Sequence, residues 1–188
     1  EAEERMTDLE YEIFIRLRDF AASHIPRLQQ LAENLSALDV LQSFAEVAAE
    51  RRYVRPEISS GFDLYIEDGR HPVVEAVSGS ESFIANNAEL TEKSPILLIT
   101  GPNMAGKSTY MRQTAMICLM AQIGSFVPAR RATLPIVDRI FTRIGAADDL
   151  VGGQSTFMVE MKDIQVMTEQ ATRQSLVIID ELGRGTST

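Results

Sequence analysis

Apolar residues recur at three- and four-residue steps through the first fifty positions of the chain. Leu9, Ile13, Leu17 and Phe20 form one series. Leu28, Leu31, Leu35, Leu38, Leu41, Ala45 and Ala48 form a second. That spacing puts each series on one face of a helix. It predicts helix from residue 1 to about residue 52, with Pro26 either separating two helices or kinking one long one. Nothing in this stretch suggests chemistry, and it reads as a packing or lever helix.

The pattern changes at Tyr53. Residues 53 to 90 hold short β-like pieces punctuated by Gly61, Gly69, Pro72 and Gly79. Ile96-Leu97-Leu98-Ile99-Thr100 is a short apolar run of the kind found in a buried parallel strand. A glycine-containing loop follows, then a helical stretch from about Lys107 to Ile123 that Gly124 is placed to stop. A further helix is expected from Thr156 to about Thr172, with Phe157, Met161, Ile164, Met167 and Ala171 as its apolar positions. Leu176 to Ile179 gives a second buried-strand signal. Strand, helix and strand in alternation predict an α/β domain with a mainly parallel sheet. The sheet of such a domain normally continues beyond the strand near Ile179, and the first helix starts without a capping signal. A piece of a longer protein, cut at both ends, is therefore expected.

Composition narrows the chemistry. The chain has 188 residues, 45% hydrophobic and 24% charged, which is an ordinary globular balance. Its net charge of −9 disfavours a DNA-binding surface spread over the whole chain, because such binding rests on Lys and Arg neutralising phosphates. Any DNA contact should come mostly from another segment or subunit. The single cysteine, Cys118, excludes an internal disulfide or a cysteine zinc cluster and sits in an apolar run, as a small core residue would. No apolar stretch is long enough to span a bilayer and no signal peptide is visible, so a cytosolic location is the default.

Three segments carry candidate chemistry. Gly101-Pro102-Asn103-Met104-Ala105-Gly106-Lys107-Ser108 has two glycines flanking four residues, then Lys and Ser, the phosphate-loop pattern. The glycines allow backbone angles and a close approach that a side chain would block. The loop amides and the following helix dipole then face an anion. Lys107 can reach the β- and γ-phosphates, and Ser108 can ligate Mg²⁺. The second segment is Asp180-Glu181 at the end of the Leu176–Ile179 run. Asp180 could hold the Mg²⁺ shell and Glu181 could polarise an attacking water, although strand-ending acid pairs are common in isolation. The third is Gly152-Gly153-Gln154-Ser155-Thr156-Phe157-Met158, where Ser155 could cap a helix, face an anion, or both. His71, before Pro72, reads as a structural turn residue.

Thr100 to Gln113 (TGPNMAGKSTYMRQ), Phe141 to Asp149 (FTRIGAADD), Ser155 to Met161 (STFMVEM) and Asp180 to Thr188 (DELGRGTST) together resemble the MutS mismatch-repair family. Arg70 to Glu75 and Phe83 to Asn86 resemble the start of that family's nucleotide domain. The likeness covers residues 53 to 188, and the helical part resembles the end of the family's lever region. It implies a P-loop ATPase domain of the ABC type at 53–188, preceded by a helical lever segment at 1–52. ATP and Mg²⁺ are the implied cofactors. Gly101, Pro102, Asn103, Met104, Ala105, Gly106, Lys107, Ser108 and Thr109 would bind phosphates. Phe83, Ile84 and Asn86 would line the adenine pocket. Ser108 and Asp180 would hold the metal, with Glu181, Lys107 and Ser155 catalytic. Ser155 would act in trans on the γ-phosphate of an opposing subunit, with Gly185 to Thr188 at the interface of a homodimer. The implied partners are mismatched double-stranded DNA, reached mainly through domains outside this sequence, and a MutL-type protein. The implied location is the bacterial cytoplasm, at the nucleoid. The histidine loop and the C-terminal dimerising segment of the family are not in the sequence, and Ala105 stands where glycine is frequent.

Two other functions stay open on the sequence. One is a nucleotide-gated dimerisation module that binds ATP without turnover. The other is a chromosome-maintenance ATPase, against which STFM in place of a leucine-serine-glycine run argues.

Overall fold

The computed structural model describes residues 1–78, 83–144, 156–181 and 183. The chain divides into two compact units, Glu1–Glu46 and Val47–Thr188.

The first unit is helical throughout. Helix α1 runs from Ala2 to Glu50, its last turns belonging to the second unit. Pro26 lies inside it and does not divide it. Having no N–H, Pro26 forfeits one intrahelical bond. The apolar stripes of this unit are exposed, including Leu17, Phe20, Leu28, Leu31, Leu35 and Leu38.

In the second unit α1 ends by turning into a left-handed residue, Arg52 (φ 53°). The N–H of Tyr53 then reaches back to the Ala48 carbonyl at 2.9 Å, satisfying a helix-end acceptor. Arg70 donates a further bond to the Arg51 carbonyl at 3.0 Å while holding Glu75 at 3.1 Å.

The elements that follow are β1 (Glu57–Ser59), β2 (Leu64–Gly69), α2 (Pro72–Ser78), β3 (Asn86–Leu90), α3 (Lys107–Gln122), β4 (Arg131–Pro135), β5 (Ile140–Arg143), α4 (Thr156–Gln170) and β6 (Leu176–Ile179). Helix α2 lies where the sequence suggested only β-like pieces. Pro72 starts it at the position where a missing N–H costs nothing, and His71 Nδ1 accepts from the Val74 N–H at 3.3 Å.

The sheet is mixed, which corrects the expectation of a mainly parallel one. Four strands run in the order β1-β4-β2-β3, with β1 and β4 parallel and the β4–β2 and β2–β3 pairs antiparallel. The reason is visible in β2 and β4. Leu64, Ile66, Ala132 and Leu134 are buried while the intervening Tyr65 and Thr133 are more exposed, the one-faced burial typical of antiparallel pairing. The parallel part is a separate pair, β5–β6, with Ile140 opposite Leu176 and Arg143 opposite Ile179.

A second expectation also fails. Ile96–Thr100 forms no strand, and no described strand pairs with it. Ile96 is 83% and Leu98 85% exposed. A central strand needs a hydrogen-bonding neighbour on each edge, and the described residues supply neither.

Helix α3 is the buried spine of the α/β unit. Its Ile117, Cys118 and Ala121 pack with Leu64, Ile66, Val127, Leu134, Leu176 and Ile178. Burial pushes the Cys118 thiol up to about 12, as befits a core residue. The helix stops where the sequence placed its glycine. Gly124 is left-handed at φ 86°, and the Ser125 and Gly124 N–H groups bond back to Met120 and Ala121.

One contact fixes α3 against the sheet. A Cβ on Gly69 would stand 2.6 Å from Gln113 Nε2, 2.8 Å from Ile66 Cγ2 and 3.2 Å from the Asn86 carbonyl. Gln113 is fully buried, and its amide atoms have no hydrogen-bond partner among the described residues. Gly69→Ala is expected to cost about 1–3 kcal/mol by overpacking. Adding Gln113→Ala should recover part of that loss, since the displaced amide had no partner to lose. Urea denaturation of the single and double variants checks both. A Gly69→Ala midpoint equal to wild type would contradict this packing.

Candidate functional site

The site is built where α3 begins and β6 ends. Gly106, just before α3, takes a left-handed conformation (φ 88°, ψ 8°), and no side chain caps the helix. The first-turn N–H groups of α3 therefore lack a side-chain acceptor and keep their affinity for an anion. A Cβ at Gly106 would meet nothing within 4 Å, so its requirement is for backbone angle and not for space. Met104 is also left-handed at φ 63°, with its side chain fully exposed.

Lys107 folds back over its own loop. Its Nζ donates to the Gly101 carbonyl at 2.7 Å and to the Pro102 carbonyl at 3.3 Å, and lies 3.8 Å from Glu181 Oε1. The Ser108 hydroxyl donates a very short hydrogen bond to Asp180 Oδ2. Asp180 is held from the other side too, its N–H reaching the Arg143 carbonyl at 2.7 Å, one rung beyond the β5–β6 pairing. Glu181 is left-handed at φ 50°. Pro102 through Thr109, Arg112, Asp180 and Glu181 line one cavity of about 490 Å³.

Two segments far apart in the sequence thus meet: the 101–109 loop with its helix start, and the acid pair. Phe83, Ile84 and Asn86 do not line this cavity. Ile84 is 83% exposed, and the Asn86 side chain donates to the Ile84 carbonyl at 2.8 Å. Strand β3 is nonetheless tied to the start of α3, because the Tyr110 hydroxyl donates to the Asn87 carbonyl at 2.9 Å. Ser155 lies outside the described residues, as do Gly152 to Gln154, Gly145 to Asp149 and Gly185 to Thr188.

Sequence reasoning passed over two residues. Arg112 lines the cavity from the second turn of α3. Its four-residue spacing from Ser108 puts both on one helix face, and that was the available signal. Glu160, in α4, is 3% exposed and accepts the Gly183 N–H at 2.6 Å, tying α4 to the segment after the acid pair. It falls three residues after Phe157, on the stripe that the apolar positions define.

His71 lies near Arg112. Burial lowers its pKa first, a backbone hydrogen bond opposes this, and the Arg112 charge lowers it further.

The class these features define is an α/β domain in which a glycine-bounded loop, a helix N-terminus and a strand-end acid pair share one cavity. The family model for MutS domain V matches residues 97–188, which include both the loop and the acid pair. Over its whole length the chain is 60% identical to the DNA mismatch repair protein MutS of Brevibacillus brevis and 57% identical to that of a Geobacillus species. It is 53% identical to that of Listeria innocua. The match covers 100% of this chain and 22% of each of these relatives. The chain belongs to the MutS family. It spans about a fifth of the length of the curated relatives it matches.

The backbone at Glu181 generates a stability test. A non-glycine residue held left-handed carries strain. Glu181→Gly and Glu181→Ala both remove the carboxylate near Lys107, but only glycine relieves the backbone. Glu181→Gly should be more stable than Glu181→Ala by about 1 kcal/mol. Chemical denaturation of the two variants compares them, and the reverse order would exclude this conformation.

Proposed function

We propose that the chain is the ATP-binding and ATP-hydrolysing motor segment of a DNA mismatch-recognition protein. The observation that carries the reading is the convergence of Lys107, Ser108, Asp180 and Glu181 on one cavity beneath an uncapped helix start. The P-loop fold, the ATPase activity and the coupling to mismatch binding and sliding-clamp conformations are all part of this proposal. The DNA part rests on the relatives, whose name is DNA mismatch repair protein MutS.

The donor set fits Mg²⁺. Ser108 and Asp180 offer two hard oxygens side by side. That is the pattern for an ion held by one carboxylate, a hydroxyl, substrate phosphates and water. Bound there, Mg²⁺ would offset phosphate charge. The loop amides from Gly101 to Thr109 would cradle the phosphates. Lys107 would exchange its loop carbonyls for phosphate oxygens. Glu181 would orient and polarise the attacking water. Phe83, Ile84 and Asn86 would receive the adenine. Ser155, which precedes α4 in the sequence, would complete the site of an opposing subunit, making the working form a dimer through the ATPase domains. Mismatched DNA and a MutL-type protein are the proposed partners, and residues 1–52 the lever leading to the 53–188 ATPase domain.

Two variants separate binding from turnover. Lys107→Ala should weaken ATP binding at least about tenfold, or 1.4 kcal/mol, since it removes a cation aimed at the phosphates. Calorimetric titration reads this, and equal affinities would place the nucleotide elsewhere. Glu181→Gln should retain Mg²⁺-ATP while hydrolysis in the full-length protein slows by roughly a hundredfold or more. A wild-type hydrolysis rate in Glu181→Gln would remove Glu181 from the role assigned here.

A further inference from the structure

The cavity has a charge problem that Lys107 alone does not solve. Lys107 brings one positive charge and the Asp180-Glu181 pair brings two carboxylates, one of them 3.8 Å from the ammonium. Before any Mg²⁺ is counted, a polyphosphate entering such a site would meet net negative side-chain charge, and the uncapped helix start offers only partial positive charge against it. Arg112 is the other cation lining the cavity. It forms no hydrogen bond or ion pair with any described residue. Side chains on a helix lean toward its N-terminus and cover the turn before their own Cα. From position 112 that turn holds Ser108 and Thr109, which line the same cavity as Arg112.

We propose that Arg112 is a second phosphate-binding cation of this site, contacting the nucleotide's phosphates from the α3 side while Lys107 contacts them from the loop. The inference rests on the nucleotide reading above and deepens it. A guanidinium presents a planar fork of donors that matches phosphate oxygens, and Arg112 has no hydrogen-bond or ion-pair partner among the described residues to give up. It differs in this from Lys107, which must leave two carbonyls and a carboxylate. With Arg112 counted, the cavity's side-chain charges balance.

The test is ADP binding by the full-length protein, measured by calorimetry across a salt series. Arg112→Gln keeps a polar side chain, though a shorter one, and removes the charge. It should weaken ADP binding about tenfold and flatten the dependence of affinity on salt, while Arg112→Lys restores much of both. An Arg112→Gln protein that binds ADP as wild type does would overturn the proposal. So would a weaker protein whose salt dependence is unchanged, because that pattern means Arg112 acts only by packing. Wild-type protein that binds no ADP would instead overturn the nucleotide reading itself, and Arg112 with it.

Discussion

The hydrogen bond between Ser108 and Asp180 is the constraint on which the site depends. It joins the first turn of α3 to the end of β6, elements 72 positions apart in the chain. Each partner is anchored separately. Ser108 is fixed by a helix whose Ile117, Cys118 and Ala121 are core residues. Asp180 is fixed by a ladder bond to Arg143. Core packing is intolerant of small shifts, so the position of α3 against β6 sets where the loop amides point relative to the acids. A buried spine with oxygen donors at its end is a device for holding a charged ligand at one place.

Much of this was legible in the sequence because it was local. The loop glycines, Lys107 and Ser108 form a contiguous pattern, and the helix from Lys107 to Gln122 with its Gly124 stop follows from apolar spacing and one left-handed residue. The acid pair at the end of Leu176–Ile179 was readable for the same reason. What was not readable depended on pairing. Whether β2 runs parallel or antiparallel to β4 is decided by which strand lies beside it, and a six-residue alternation states only that one face is buried. Arg112 escaped notice because a basic residue on a helix is usually solvated, and only the cavity makes its direction matter. Glu160 escaped because a glutamate on an apolar stripe reads as an edge position until its partner, the Gly183 N–H, is known.

The apolar run at Ile96–Ile99 shows how a pattern and a structure can disagree without either being careless. The run has strand composition and leads into the loop. Yet Ile96, Leu97 and Leu98 are exposed, and the run borders an apolar cavity of about 510 Å³ that it shares with β3, α3 and β6. Leu176, Val177, Ile178 and Ile179 line that cavity too. Composition encodes the surroundings in which a strand is stable, here apolar neighbours on both faces. Geometry adds the hydrogen-bonding edges, which composition cannot specify. The same distinction explains α1, where the apolar spacing predicts the helix and the stripes nonetheless face solvent.

The arrangement around Lys107 then has a directional consequence. Its ammonium is already satisfied by the Gly101 and Pro102 carbonyls, with Glu181 near at 3.8 Å. An unpaired lysine in this position would pay a desolvation cost that its neighbours here remove. Those same contacts hold the loop in the shape an anion needs, since the carbonyls that grip Lys107 belong to the residues whose backbone lines the site. On the proposed nucleotide reading, phosphate oxygens would take the place of those carbonyls as partners of the ammonium. One side chain thus touches both the loop and the acid pair, so the position of Lys107 ties the two segments together.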